Sequence, residues 1–158
     1  MSVHVLTKTV EKRDRTKRPP TGTSDSSELL PQTSRAFAVA FAPDSARVPE
    51  IRRTAGTILR SWNLPTQLVE DVQLAVSELL ANALEHGDGD IEARVLRVLD
   101  EVRIEVTDDN PEPAQLRCPD VDDLSGRGLL LVAALAQSWG VSRDGRTTWC
   151  SFRLARRA

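Results

Sequence analysis

Lysine is absent from nearly the whole chain. Lys8, Lys12 and Lys17 are the only three, and none lies between Pro19 and Ala158. That excludes a phosphate-loop lysine, the strand-borne lysine of a eukaryotic-type protein kinase, and a Schiff-base lysine in any folded part. Cysteine is nearly as scarce. Cys118 and Cys150 stand alone, with no C-x-x-C and no Cys/His spacing. Two lone thiols fit neither a disulfide framework nor a zinc site, and point to a reducing, cytoplasmic compartment. The only histidines are His4 and His86. No apolar run reaches membrane-spanning length. The basic start lacks an apolar segment behind it, so it does not read as a secretory signal.

What remains is an ordinary globular composition, 40% hydrophobic and 28% charged, over 158 residues. That length accommodates one domain and a tail. The net charge of −2 gives no reason to expect nucleic acid or a membrane surface as partner. It hides an asymmetry, because Lys8, Lys12, Arg13, Arg15, Lys17 and Arg18 face only Glu11 and Asp14 in the first twenty residues. Residues 1–33, rich in Ser, Thr, Pro and basic residues, read as a disordered tail, since they cannot bury enough apolar surface to offset ordering entropy. Residues 34–156 read as the folded domain.

Within the domain, Phe37, Val39 and Phe41 alternate, which predicts a strand up to Pro43. Val48, Ile51, Ala55, Ile58, Leu59 and Trp62 recur at three and four, one face of a helix. After Asn63-Leu64-Pro65, a longer helix runs from Thr66 to about Glu85 and ends at His86-Gly87. Two strands follow, Ile91–Leu99 and Val102–Thr107, turning at Asp100-Glu101. Glu112 to Ser125 reads as a loop, and Gly126-Arg127-Gly128 leads into a helix from Leu129 to about Gln137. Trp139–Arg143 and Thr147–Leu154 form a last hairpin around Asp144-Gly145. The expected fold is an α/β two-layer sandwich, a mixed and mostly antiparallel sheet covered on one face by helices.

Four motifs could carry chemistry. Glu78 and Asn82 lie four apart on the long helix, so they stack on one face, with Glu85 and His86 a turn later. A buried carboxylate and carboxamide need partners. A hydrated divalent cation suits both, and Glu can deprotonate a hydroxyl. The ordinary alternative is an exposed Glu78 and a satisfied core amide at Asn82. Asp108, ending a strand, could accept from a ligand's exocyclic amine, or Asp108-Asp109-Asn110-Pro111 could be only a turn. Ser125-Gly126-Arg127-Gly128 opening a helix could receive an anion, or could likewise be a turn. Thr147, in Gly145-Arg146-Thr147-Thr148-Trp149, could reach a ligand from an otherwise ordinary strand.

Taken in order, these motifs resemble the gyrase/histidine-kinase-type ATPases with the Bergerat nucleotide fold. The short length and the stretches Glu78–His86 and Gly126–Val132 look most like the bacterial anti-sigma-factor serine kinases and their actinobacterial relatives. The resemblance implies ATP and Mg²⁺ as cofactors. It implies Asn82 as the Mg²⁺ ligand, Glu78 as general base, and Asp108 as the acceptor for adenine N6. Gly126, Arg127 and Gly128 would line the phosphate end, with His86 a polar contact nearby, and Thr147 would support the adenine end. The chain departs from the pattern at Asn110, where the superfamily usually has Gly, and at Leu124, where such kinases often carry Arg.

The function this implies is a regulatory protein serine/threonine kinase. It would phosphorylate an anti-sigma antagonist of the STAS type and bind a sigma factor in a partner switch, as a homodimer without nucleic-acid contact. The alternative is a non-catalytic module of the same fold, acting through protein contact with or without nucleotide.

Overall fold

The computed structural model describes residues 2–6, 35–114 and 127–154. Its elements run β1 (Ser2–Leu6), β2 (Arg35–Phe41), α1 (Arg47–Ser61), α2 (Thr66–His86), β3 (Ile91–Val98), β4 (Glu101–Thr107), α3 (Arg127–Leu135), β5 (Ser138–Val141) and β6 (Thr147–Arg153). The six strands lie in the order β1-β2-β3-β4-β6-β5. Every neighbouring pair is antiparallel, so the sheet expected to be mostly antiparallel is so throughout the described residues.

The sheet has one apolar face because its strands alternate. Phe37, Val39 and Phe41 of β2 point into the same layer as Ile91, Ala93 and Val95 of β3, and all six are buried. Val102, Ile104 and Val106 continue it on β4, and Cys150 and Phe152 on β6. α2 lies over this layer against β3, β4 and β6. Its buried positions Val69, Val72, Val76, Leu79 and Leu80 recur at three and four, one stripe of a helix. Each large side chain so buried is worth roughly 1.5–3 kcal/mol over its exposed state. α1 packs beside α2 through Ile51, Ala55 and Leu59, and α3 packs on α2's other flank. The outer face of the sheet keeps charge: Arg103 pairs with Glu105 at 2.8 Å and stacks 4.1 Å over the Trp149 ring. Burial pushes the Cys150 thiol up to about 12, against a small opposing pull from Arg103. Cys118 lies outside the described residues.

Two like charges lie opposite each other where β2 meets β3, since Arg35 is the register partner of Arg97. Such a pair is destabilising unless both find acceptors. Both do, at the end of α1: Arg35 donates to the Ser61 carbonyl at 3.3 Å and Arg97 to the Trp62 carbonyl at 2.6 Å. The helix C-terminus presents unpaired carbonyls and negative partial charge, so two guanidinium groups satisfy it.

The structure differs from the sequence expectation in three places. Ser2–Leu6, inside the segment expected to be a disordered tail, is strand β1, paired from Ser2 opposite Ala40 to Leu6 opposite Ala36. The β3–β4 hairpin turns at Leu99-Asp100, one residue earlier than expected, and Leu99 takes φ 57° there. Helix α3 starts at Arg127 and ends at Leu135, two residues early at each end, and β5 is Ser138–Val141. The expected loop from Glu112 and the glycine at 126 lie largely outside the described residues.

Candidate functional site

A cavity of about 680 Å³ opens at the end of the sheet where α2, the segment past β4, α3 and β6 converge. This is within the usual volume range of small-molecule sites. Four segments supply its polar lining. α2 contributes Glu78, Asn82, Glu85 and His86 from its last two turns. Positions 78, 82 and 85 fall on one helical stripe beside the buried one, so they face the cavity while Leu79 and Leu80 face the core.

The carboxylate of Asp108 comes from the first residue past β4. Its backbone N–H donates to the Arg146 carbonyl at 3.0 Å, extending the β4–β6 ladder by one bond. The chain then folds over the end of α2: Asp109 N–H donates to the Asp88 carbonyl at 2.7 Å. This approach needs Gly87. A β-carbon there would lie 2.3 Å from the Ala83 carbonyl oxygen and 2.8 Å from the Asp108 carboxyl carbon. Residues with any side chain at 87 would hold Asp108 away from the helix end.

The third wall is the start of α3. Arg127 is its first residue, exposed and lining the cavity. Gly128 lies against Glu78 so closely that a β-carbon would be 2.3 Å from Oε2. The carboxylate of Glu78 is therefore held beside the first turn of a helix, where partial positive charge favours it. Among the described residues, neither the Glu78 carboxylate nor the Asn82 amide has a hydrogen-bond or ion-pair partner. Both line the cavity.

The fourth wall is the start of β6. The strand alternates, and the parity is decisive. Thr148 is buried and lines the cavity. Thr147, the residue expected at the ligand, is on the other face, its hydroxyl 2.8 Å from that of Thr107, its register partner. A one-residue step in a strand reverses the side chain, so Thr148 is the hydroxyl on the cavity side.

Of the expected site residues, Glu78, Asn82, His86, Asp108, Arg127 and Gly128 line this one cavity, and Gly126 lies outside the described residues. His86 sits 3.7 Å from Glu85 at the rim. The cavity also holds Glu85, Asn110, Glu112 and Thr148, which the motifs did not single out as site residues. Glu85 was legible as a member of the stripe, seven after Glu78.

The chemistry of this donor set is specific. Among the described lining residues, Glu78, Glu85, Asp108 and Glu112 outnumber the guanidinium of Arg127, so a polyanion is best received here together with a cation. Among the described residues no group of three or more His, Cys, Asp or Glu side chains forms a metal cage. Mg²⁺ is commonly held in another way, by one or two protein oxygens plus phosphate oxygens, and Asn82 with Glu78 fits that arrangement. Asp108 offers an acceptor, and Arg127 with the α3 N-terminus offers an anion-binding group, so the cavity presents both kinds of partner.

No helix among the described residues is long and apolar enough to cross a membrane. A search of the curated proteins found no match. Residues 41–154, from the end of β2 through β6, match the family model described as a histidine kinase-like ATPase domain. The match takes in all of the elements that wall the cavity, and the antiparallel sheet with its helical layer is the fold of that family. The chain belongs to the histidine kinase-like ATPase domain family, and ATP binding is what that membership implies.

Proposed function

We propose that this protein is an ATP-dependent protein serine/threonine kinase of the anti-sigma-factor type, acting in a cytoplasmic partner switch. The observation that carries the reading is the convergence of Glu78, Asn82, Asp108, Arg127 and Gly128 on one cavity from two helices and a strand end. On this reading Asp108 accepts from the adenine N6 amine, with the Thr148 hydroxyl beside it. Arg127 and the first turn of α3 take the phosphate end. Asn82 holds Mg²⁺, which supplies charge neutralisation on the phosphates when bound.

Glu78 takes the proton from a serine hydroxyl of the partner as its oxygen bonds to the γ-phosphorus and the bond to the β–γ bridging oxygen breaks, leaving ADP. Its position against the first turn of α3 aims it at the phosphate end. The partners on this reading are an anti-sigma antagonist of the STAS type, which receives the phosphoryl group, and a sigma factor, with the kinase acting as a homodimer. The absence of lysine from the domain is compatible, because Arg127, Mg²⁺ and the helix N-terminus supply the positive charge.

Calorimetric titration with Mg-ATP tests the reading first. The wild type binds, Asn82→Ala loses the Mg²⁺-dependent part of the affinity, and Asp108→Asn loses the preference for adenine. Glu78→Ala binds nucleotide but transfers no phosphate to a cognate antagonist. A wild type silent at millimolar Mg-ATP would falsify the proposal. Binding without transfer to any antagonist would instead leave a non-catalytic module of the same fold.

A further inference from the structure

Asn110 makes three hydrogen bonds within the cavity wall. Its side-chain Nδ2 donates to the His86 carbonyl at the end of α2, at 2.6 Å. Its Oδ1 accepts from the Glu112 backbone N–H at 3.0 Å. Its own backbone N–H donates to Asp108 Oδ1 at 2.7 Å. One residue thus joins three pieces of the same wall: the C-terminus of α2, the carboxylate past β4, and the segment 112–114. All three line the cavity. The residue that follows is Pro111, which biases Asn110 toward an extended backbone and keeps both side-chain bonds in reach.

The geometry points to Asn110 as the positioning residue for base recognition at Asp108, an inference that rests on the nucleotide reading above. The bond from the Asn110 N–H occupies one carboxylate oxygen of Asp108 and fixes the plane of the group. That leaves the other oxygen as the acceptor for an exocyclic amine. The tie from Nδ2 to His86 then fixes the loop to α2, so that Asp108 does not swing with the chain after it. Glycine at this position would keep the backbone bond and lose both side-chain bonds. The loop would then be free to shift, and the acceptor with it. Pre-ordering an acceptor in this way raises selectivity, because a polar group left unpaired by the wrong ligand is costly only if it cannot relax.

The test compares Mg-ATP with the Mg complex of purine riboside triphosphate, which lacks the exocyclic amine, by calorimetry on the full chain. The wild type prefers ATP. Asn110→Ala loses about tenfold of that preference, the effect of one to two ordinary hydrogen bonds, while its affinity for purine riboside triphosphate stays within about twofold. Asn110→Asp keeps the acceptor for Glu112 but not the donor for His86, so it does not rescue the preference. A thermal melt of each variant accompanies the titrations, and Asn110→Gly stands in should Asn110→Ala fail to fold. A retained preference in the variants overturns the inference, as does an equal loss for both nucleotides, which a merely structural role would give. A wild type that binds ATP without preferring it overturns the inference and leaves the kinase reading standing. A wild type that binds neither nucleotide overturns both.

Discussion

Single residues decide which atoms face the cavity, and strand parity is the sharpest case. The pattern Gly-x-Thr directs attention to Thr147, but it is Thr148 that lines the cavity, while Thr147 bonds Thr107 across the outer face. Composition could not separate two adjacent threonines. The register of β6 against β4, which sequence does not fix, separates them. Paired substitutions make the difference measurable. Thr148→Ala should weaken Mg-ATP binding several-fold in calorimetry. Thr147→Val should leave that binding unchanged and cost about 1 kcal/mol in a denaturant titration, the net worth of one hydroxyl pair. Reversed outcomes would restore Thr147 to the ligand. For Glu78 and Asn82, by contrast, spacing alone fixed a shared helix face, while their roles at a site came only from the resemblance. A separation of four on a helix fixes a shared face without tertiary information.

At the scale of elements, the apolar periods located both long helices and five of the six strands. Those signals are local, because a buried stripe at three and four or an alternation of two needs no knowledge of what covers it. Two features escaped for physical reasons. β1 is five residues long and pairs across a long sequence gap, so nothing near it in the chain announced a partner. The β3–β4 turn places Leu99 at φ 57°, where Gly or Asn is the usual occupant, so the turn chemistry pointed one residue too far. The end of α2 was legible, but its closeness to Asp108 was not. Gly87→Ala tests that closeness. Gly87 has φ −78°, open to any residue, so a cost must come from contact with the Ala83 carbonyl and the Asp108 carboxyl. The expected loss is about 1–3 kcal/mol by chemical denaturation, with weakened nucleotide binding because Asp108 is displaced. A variant of wild-type stability and affinity would show that the helix end yields without moving the carboxylate.

Across the whole molecule, the cavity and the N-terminal strand lie on different parts of the sheet. The segment past β4 and the start of β6 wall the cavity, while β1 forms the far edge beyond β2 and β3. β1 therefore covers the hydrogen-bonding edge of β2, a strand whose inward residues Phe37, Val39 and Phe41 are buried. Removing residues 1–6 separates the two roles. Nucleotide affinity should stay within about twofold, since β2 and β3 lie between β1 and the strands that lead to the cavity and distant sites act independently. The uncovered edge of β2 should instead pair with another chain, because an open row of backbone donors and acceptors beside apolar residues is a template for association. Light scattering after size exclusion, run across a concentration series, would register this as a rise in mass with concentration beyond that of the full chain. An unchanged mass would mean that β2 tolerates an open edge, and that β1 does not act as its cover. A tenfold loss of nucleotide affinity would mean that the far edge of the sheet is coupled to the cavity through β2 and β3, and that the site extends beyond the elements that wall it.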